Sequence, residues 1–236
     1  MCGISAVYGN IGIKKLNIKN NNQLKLITHR GPDFKKIKNY SNCSLGHTRL
    51  MIIDLDKRSN QPFENDKYSL LFNGMIYNYL EIKQILSNKY QFQSSSDTEV
   101  ILAGLTIYGE KIFKMLRGMF SIVIYDKQKK ELLCARDHLG IKPLYYSIFN
   151  NTIFIASEIK PILSNIESKP NLEVAERYFK FGMYESNENS FFRNINQFKP
   201  GYIYKVYKNL KVKKTKYWSL FDHISSTDKK FNFNES

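Results

Sequence analysis

Cys2 is the first residue in this chain whose type and position invite chemistry. A side chain as small as cysteine after an initiator methionine permits removal of that methionine. One residue then carries both a thiol and a free α-amine. Such an amine titrates near ~8, so at neutral pH it can take the thiol's proton directly or through one water. Read alone, though, Cys2 fits an inert buried side chain opening a strand more simply. Arg49 precedes the apolar run Leu50, Met51, Ile52 and Ile53, where an uncompensated guanidinium is costly. Its fork suits a carboxylate, which Asp33 or Asp54 could supply as a salt bridge. Asn73-Gly74 follows the run YSLLF and by itself signals a hairpin turn. Asp97 stands behind three serines at a helix start, where an acid meets the helix dipole favourably. Arg30, His29 and His47 read by type as loop-ordering or core residues.

The elements that must position these residues are mostly strands. Apolar runs bounded by turn residues predict strands at 3–8, 45–55, 68–72, 119–125, 131–135, 144–149, 152–156, 202–206 and 211–217. Residues 126–130 and the pair Asn150-Asn151 read as hairpin connections. Helical spacing marks 77–87 and 98–108, with a third helix at 173–181. Ser96 followed three residues later by Glu99 predicts a capping box at the start of the second. No internal repeat or low-complexity linker interrupts the chain. The composition turns polar only after Trp218.

Composition narrows the function classes. With 42% hydrophobic and 24% charged residues, the 236-residue chain can build a core and is not of the disordered type. No run of about 20 apolar residues suggests a membrane span, and the first residues lack a secretory pattern, so the chain reads as soluble and cytoplasmic. Three cysteines, Cys2, Cys43 and Cys134, form no C-x-x-C pair and argue against a disulfide framework. The net charge of +15 rests on 29 lysines and only 7 arginines, dispersed among asparagines. The densest stretch, KVYKNLKVKKTK at 205–216, alternates with apolar residues as a solvated strand pair does, and it lacks the arginine and aromatic interleaving of a nucleic-acid surface. No cluster of His, Cys and acidic residues has metal-ligand spacing.

Read together, seven short blocks resemble the glutaminase domain of glutamine-hydrolysing asparagine synthetases, members of the class II (N-terminal-nucleophile) glutamine amidotransferases. They follow the opening MCGI: HRGPD at 29–33, LGHTRLMIIDL at 45–55, Gln61-Pro62, NGMIYN at 73–78, SDTEVIL at 96–102, RDHLGIKPLYY at 136–146 and ASEIKPIL at 156–163. The resemblance covers residues 1–218, leaving 219–236 as a linker or the start of a synthetase domain. It implies an α+β fold: a four-layer αββα sandwich with two mostly antiparallel sheets flanked by helices. It also implies that Cys2 attacks the side-chain amide of glutamine, that Asn73 and Gly74 form the oxyanion hole, and that Arg49 and Asp97 hold the substrate's α-carboxylate and α-ammonium. The thioester formed on Cys2 would release glutamate, and the ammonia would pass to a synthetase site that amidates aspartate.

At the oxyanion turn the family pattern is N-G-E, and this chain has Met75 where the glutamate is expected. The substitution predicts weakened glutamine binding or specialisation for a related amide. No cofactor is expected in these residues. The S-G-G-x-D-S loop is absent from them, so ATP and Mg2+ are assigned to a partner or C-terminal synthetase domain. Glutamine and that synthetase domain are the expected partners, with no nucleic acid or membrane, and a homodimer is left open. The rival reading is a non-catalytic or partner-dependent regulatory module of the same fold, or an amidotransferase for another carboxylate such as a sugar acid.

Overall fold

The computed structural model describes residues 1–183 and 187–222. From the N-terminus it runs β1 (Gly3–Gly9), α1 (Ile13–Lys25), β2 (Phe34–Asn39), β3 (Cys43–Arg49), β4 (Phe63–Glu64), β5 (Tyr68–Ile76), α2 (Tyr79–Leu86) and α3 (Asp97–Tyr108). It continues through β6 (Gly118–Asp126), β7 (Glu131–Arg136), β8 (Tyr145–Phe149), β9 (Thr152–Ala156), α4 (Ile159–Leu163), α5 (Leu172–Phe181), β10 (Asn196–Gln197), β11 (Tyr202–Val206) and β12 (Val212–Lys216). Two antiparallel sheets result, ordered β10-β8-β9-β1-β3-β2 and β12-β11-β7-β6-β5-β4.

Side-chain alternation along the strands builds the layers. Ile4, Ala6 and Tyr8 of β1 join Leu45, Leu71, Val123 and Cys134 in a core between the sheets. Val7 points the other way, into a cluster with Leu16 of α1 and Ile162 of α4. Leu70, Phe72 and Ile76 of β5 pack outward against α2 and α3 through Ile82, Val100 and Ile101. Helix, sheet, sheet and helix thus stack in four layers, the expected αββα sandwich.

Several elements depart from the sequence reading. α1 is absent from it because its inward positions, Leu16, Asn20, Gln23 and Leu24, mix amides with leucines. Those amides dock by hydrogen bonds: Gln23 Nε2 donates to Ser5 Oγ at 2.9 Å and Asn20 Nδ2 to Ser44 Oγ at 2.9 Å. The short strands β2, β4 and β10 and helix α4 were also not anticipated. The strand expected over 45–55 ends at Arg49, and the chain then loops through residues 50–62, with Ile52 and Leu55 largely exposed (64% and 71%). β5 does not end at Phe72 but continues to Ile76, so Asn73-Gly74 lies inside a strand rather than in a turn. The hairpins at 126–130 and Asn150-Asn151 form as expected, the two asparagines taking positive φ of 46° and 53°.

The lysine-rich stretch is the strand pair β11–β12, with Val206 buried and Lys213 and Lys214 outward. No helix among the described residues is long and apolar enough to cross a membrane. Of the segment after Trp218, residues 223–236 lie outside the described residues. The inter-sheet core generates a contrast: Leu45→Ala is expected to destabilise the fold by about 2–5 kcal/mol through cavity formation, whereas Leu55→Ala stays within about 0.5 kcal/mol. Urea midpoints at constant m-value read the difference.

Candidate active site

Cys2 sits one residue before β1, continuing the face of Ile4, Ala6 and Tyr8 that looks across to the second sheet. Its Sγ lies against the backbone of Leu50, just past β3: the Leu50 N–H donates to Sγ at 3.4 Å, and Sγ stands 3.6 Å from the Leu50 carbonyl. Burial pushes the thiol above its ordinary pKa. The Leu50 N–H, the chain's N-terminal charge and Arg49 pull it back, and Asp97 adds to the rise. The Cys2 carbonyl accepts from Arg30 Nε at 3.0 Å, and Arg30 in turn pairs with Glu158 at 2.9 Å, which also takes His29. Gly31 lets this turn press onto β3: a Cβ there would meet the Thr48 carbonyl carbon at 2.3 Å.

Cys2, Arg49, Asn73, Gly74 and Asp97 all line one cavity of about 100 Å³, together with Met75, Met119, Ser59, Gln61 and Lys142. The sequence reading singles out five residues between Cys2 and Asp97, and the fold brings all five together.

Gly74 owes its setting to strand geometry. In an antiparallel pair, successive residues turn their backbone groups alternately toward and away from the neighbour. The Tyr77 N–H bonds to Arg117, so the odd residues of β5 face β6; Phe120, opposite Gly74, spends its own N–H and C=O on Asp137. Gly74 therefore turns its N–H to the other edge of β5. There, Phe72 N–H bonds to Gln61 Oε1 at 2.6 Å and Ile76 N–H to Asp97 Oδ2 at 3.1 Å. β4 covers only Leu70 and Ser69, so the edge opens at Gly74. No Cβ fits at this position, since one would approach the Met119 carbonyl to 2.1 Å.

Asn73 is 1% exposed, and its Nδ2 has no hydrogen-bond partner among the described residues. A buried amide donor left unpaired is costly, by about 1–3 kcal/mol, which marks a position waiting for an acceptor.

Arg49 makes no ion pair with Asp33 or Asp54. Its guanidinium, 5% exposed, donates to the carbonyls of Asp54 and Asp56 and to Asn60 Oδ1 at 2.7 Å. Asp33 instead accepts from Met51 N–H, and the Asp54 carboxylate from the N–H groups of Asp56 and Ser95 and from Ser59 Oγ. Asp97 opens α3 behind Ser96, whose Oγ accepts from Thr98 N–H at 3.1 Å. The expected capping box is half formed, because the Glu99 carboxylate reaches Gln93 N–H, Ser94 N–H and Ser94 Oγ instead of Ser96 N–H. Burial raises Asp97 to about 6 against the hydrogen bonds it accepts.

His47 is a core residue. Its Nε2 donates to Phe72 O at 3.2 Å, tying the two sheets, and burial lowers it to about 3, so it is neutral. No sequence pattern points to Leu50, which acts through its backbone. Lys142 stood in the quoted motif without a role. No group of three or more His, Cys, Asp or Glu among the described residues could hold a metal.

The family described as "Glutamine amidotransferase domain" matches residues 1–218. A putative glutamine-hydrolysing asparagine synthetase of Methanocaldococcus jannaschii is 34% identical over 259 residues, covering 98% of this chain and 49% of that protein. The amidase chry2 of Gibberella zeae is 32% identical over 234 residues, covering 93% of this chain and 34% of that one. This chain therefore spans between a third and a half of these relatives. Among solved structures, glutamine phosphoribosylpyrophosphate amidotransferase from B. subtilis has the same fold, with a TM-score of 0.69 at 19% identity over 92% of this chain and 49% of that one.

Arg49 offers a test independent of any relative. Lysine cannot bridge three oxygens with a planar fork, so Arg49→Lys is expected to loosen residues 54–60. Hydrogen exchange there should quicken by roughly tenfold or more, with β6 unchanged.

Proposed function

The chain belongs to the glutamine amidotransferase domain family, with asparagine synthetases among its relatives, and from that premise we propose that it hydrolyses glutamine through Cys2 once Met1 is removed. The Cys2 thiol gives its proton to its own α-amine, and Sγ bonds to the side-chain amide carbon. The oxyanion forms between Asn73 Nδ2–H and Gly74 N–H. The proton held on the amine passes to the departing nitrogen, ammonia leaves, and water cleaves the thioester to glutamate. Arg49 takes the substrate's α-carboxylate and Asp97 its α-ammonium. The observation that carries this reading is the unpaired, buried Asn73 amide in the same cavity as the Cys2 thiol, beside the open β5 edge at Gly74. Two donors aimed at one point are what a tetrahedral oxyanion requires.

The ammonia would pass to an ATP-dependent site that makes asparagine from aspartate, on a synthetase domain of the kind the longer relatives are named for. Purified chain, checked by intact mass for methionine removal, is expected to release glutamate from glutamine. Cys2→Ala should abolish release, and Asn73→Ala should lower kcat by about 10²–10³-fold. Release persisting in Cys2→Ala would sink the proposal.

Met75 brings no charge to the cavity, which leaves the α-ammonium to Asp97. With Asp97 raised to about 6, its carboxylate is ionised at pH 7 and protonated as pH falls through that value. Glutamine binding to the non-turning Cys2→Ala protein is therefore expected to weaken about tenfold between pH 7 and pH 5. Titration calorimetry reads it. Asp97→Asn in the same background should bind weakly at both values.

A further inference from the structure

Lys142 lines the same cavity and is only 7% exposed. A buried ammonium normally has a carboxylate beside it. Among the described residues, none stands within salt-bridge distance of Lys142 Nζ. Asp137, the carboxylate whose charge it feels, is already engaged: it accepts the N–H groups of Phe120, Leu139, Ile141 and Lys142 itself. The Lys142 backbone is pinned by that last bond at 2.9 Å and by its carbonyl accepting from Arg136 Nε at 2.9 Å. From this fixed base the side chain reaches the chain start, with Nζ 3.1 Å from Met1 Sδ. Burial and Arg30 pull the ammonium below the usual lysine range, while Asp137 and Cys2 pull it back.

We propose that Lys142 is a positioning residue for the N-terminal cysteine: after Met1 is removed, its ammonium faces the new α-amine and favours the neutral amine and the thiolate of Cys2. The inference rests on Met1 removal and on Cys2 as nucleophile. An α-amine must be unprotonated to act as a base, and a like charge in the same poorly solvated cavity disfavours its protonation. The other charges around Cys2 have hydrogen-bond partners of their own. Arg30, on the 28–30 turn, is paired with Glu158, which also holds His29; Arg49, at the end of β3, is bonded to carbonyls and Asn60; Asp97, at the start of α3, takes backbone N–H groups. Asp97 opposes the effect and Arg49 works with it; Lys142 adds a cation on the side of the cavity where the chain starts.

The test needs no glutamine. Alkylation of Cys2 by iodoacetamide, followed by intact mass across pH in methionine-processed protein, reads the proton affinity of the Cys2 pair; Cys43 and Cys134 are fully buried. Lys142→Met is expected to move the acid limb of that profile up by about half to one pH unit, and Lys142→Arg, which keeps the cation, to leave it near the wild-type position. Lys142→Gln serves as the second neutral variant should the methionine variant misfold. An unmoved limb in a folded neutral variant overturns the proposal, as does an equal shift in Lys142→Arg, which would mean lost packing. If the wild-type chain alkylates normally yet releases no glutamate, the proposed glutaminase function fails while this result still stands.

Discussion

The outer edge of β5 is the constraint on which the rest of the site depends. A strand edge exposes alternate N–H and C=O groups that must find partners, and this edge is closed piecemeal: by β4 at Leu70, by the Gln61 side chain at Phe72 and by the Asp97 carboxylate at Ile76. The gap falls at Gly74. Two of these three closing groups are held by α3. Gln61 Nε2 leans on Thr98 Oγ1 at 3.4 Å, and Asp97 is fixed by the Ser96 cap. Helix position and strand edge are therefore set together, and the packing of Val100 and Ile101 against Phe72 and Ile76 underwrites a hydrogen-bonding gap one residue wide.

The second sheet carries Asn73 and Gly74, and the first sheet brings the Cys2 thiol into the same cavity. Cys2 is carried by β1, whose neighbour β3 delivers Leu50 to the sulfur, and His47 of β3 donates to the Phe72 carbonyl across the inter-sheet layer. A neutral histidine there is a strut, because the low pKa that burial imposes keeps it from charging. Cys2, Asn73 and the loop gathered by Arg49 thus meet because two sheets are stacked face to face, the first offering strand ends and the second the interior of β5 to the same cavity.

Much of this was legible in the sequence. Strongly periodic segments such as residues 152–156, 202–206 and α3 declare themselves, and the motif residues Cys2, Arg49, Asn73, Gly74 and Asp97 converge as the resemblance implied. What stayed hidden follows from physics that local pattern does not encode. α1 docks through Asn20 and Gln23, so its apolar stripe is broken by amides. Arg49 looked like one member of an ion pair, yet it gathers carbonyls from a loop whose course depends on tertiary contact. Asn73-Gly74 has the local signature of a turn, and only pairing with Ser121 and Phe120 of β6 keeps it extended. Leu50 and Lys142 had no signal of their own, one acting through its backbone and the other gaining meaning from its burial.

The charges of the cavity show why its two ionic anchors do not simply pair. Arg49 is satisfied by carbonyl dipoles and Asp97 by N–H dipoles, so each keeps a formal charge without a counter-ion. Dipoles stabilise a buried charge without cancelling it, and burial still raises Asp97 to about 6 against the hydrogen bonds it accepts. A zwitterion carrying a carboxylate and an ammonium would supply both missing charges at once. Two preformed ion pairs in the same positions would have to be broken before such a ligand could bind, at the full cost of stranding a buried charge. On the proposed glutaminase reading, an amino-acid ligand would meet a guanidinium and a carboxylate that each lack a counter-ion, and no ion pair would have to break to admit it.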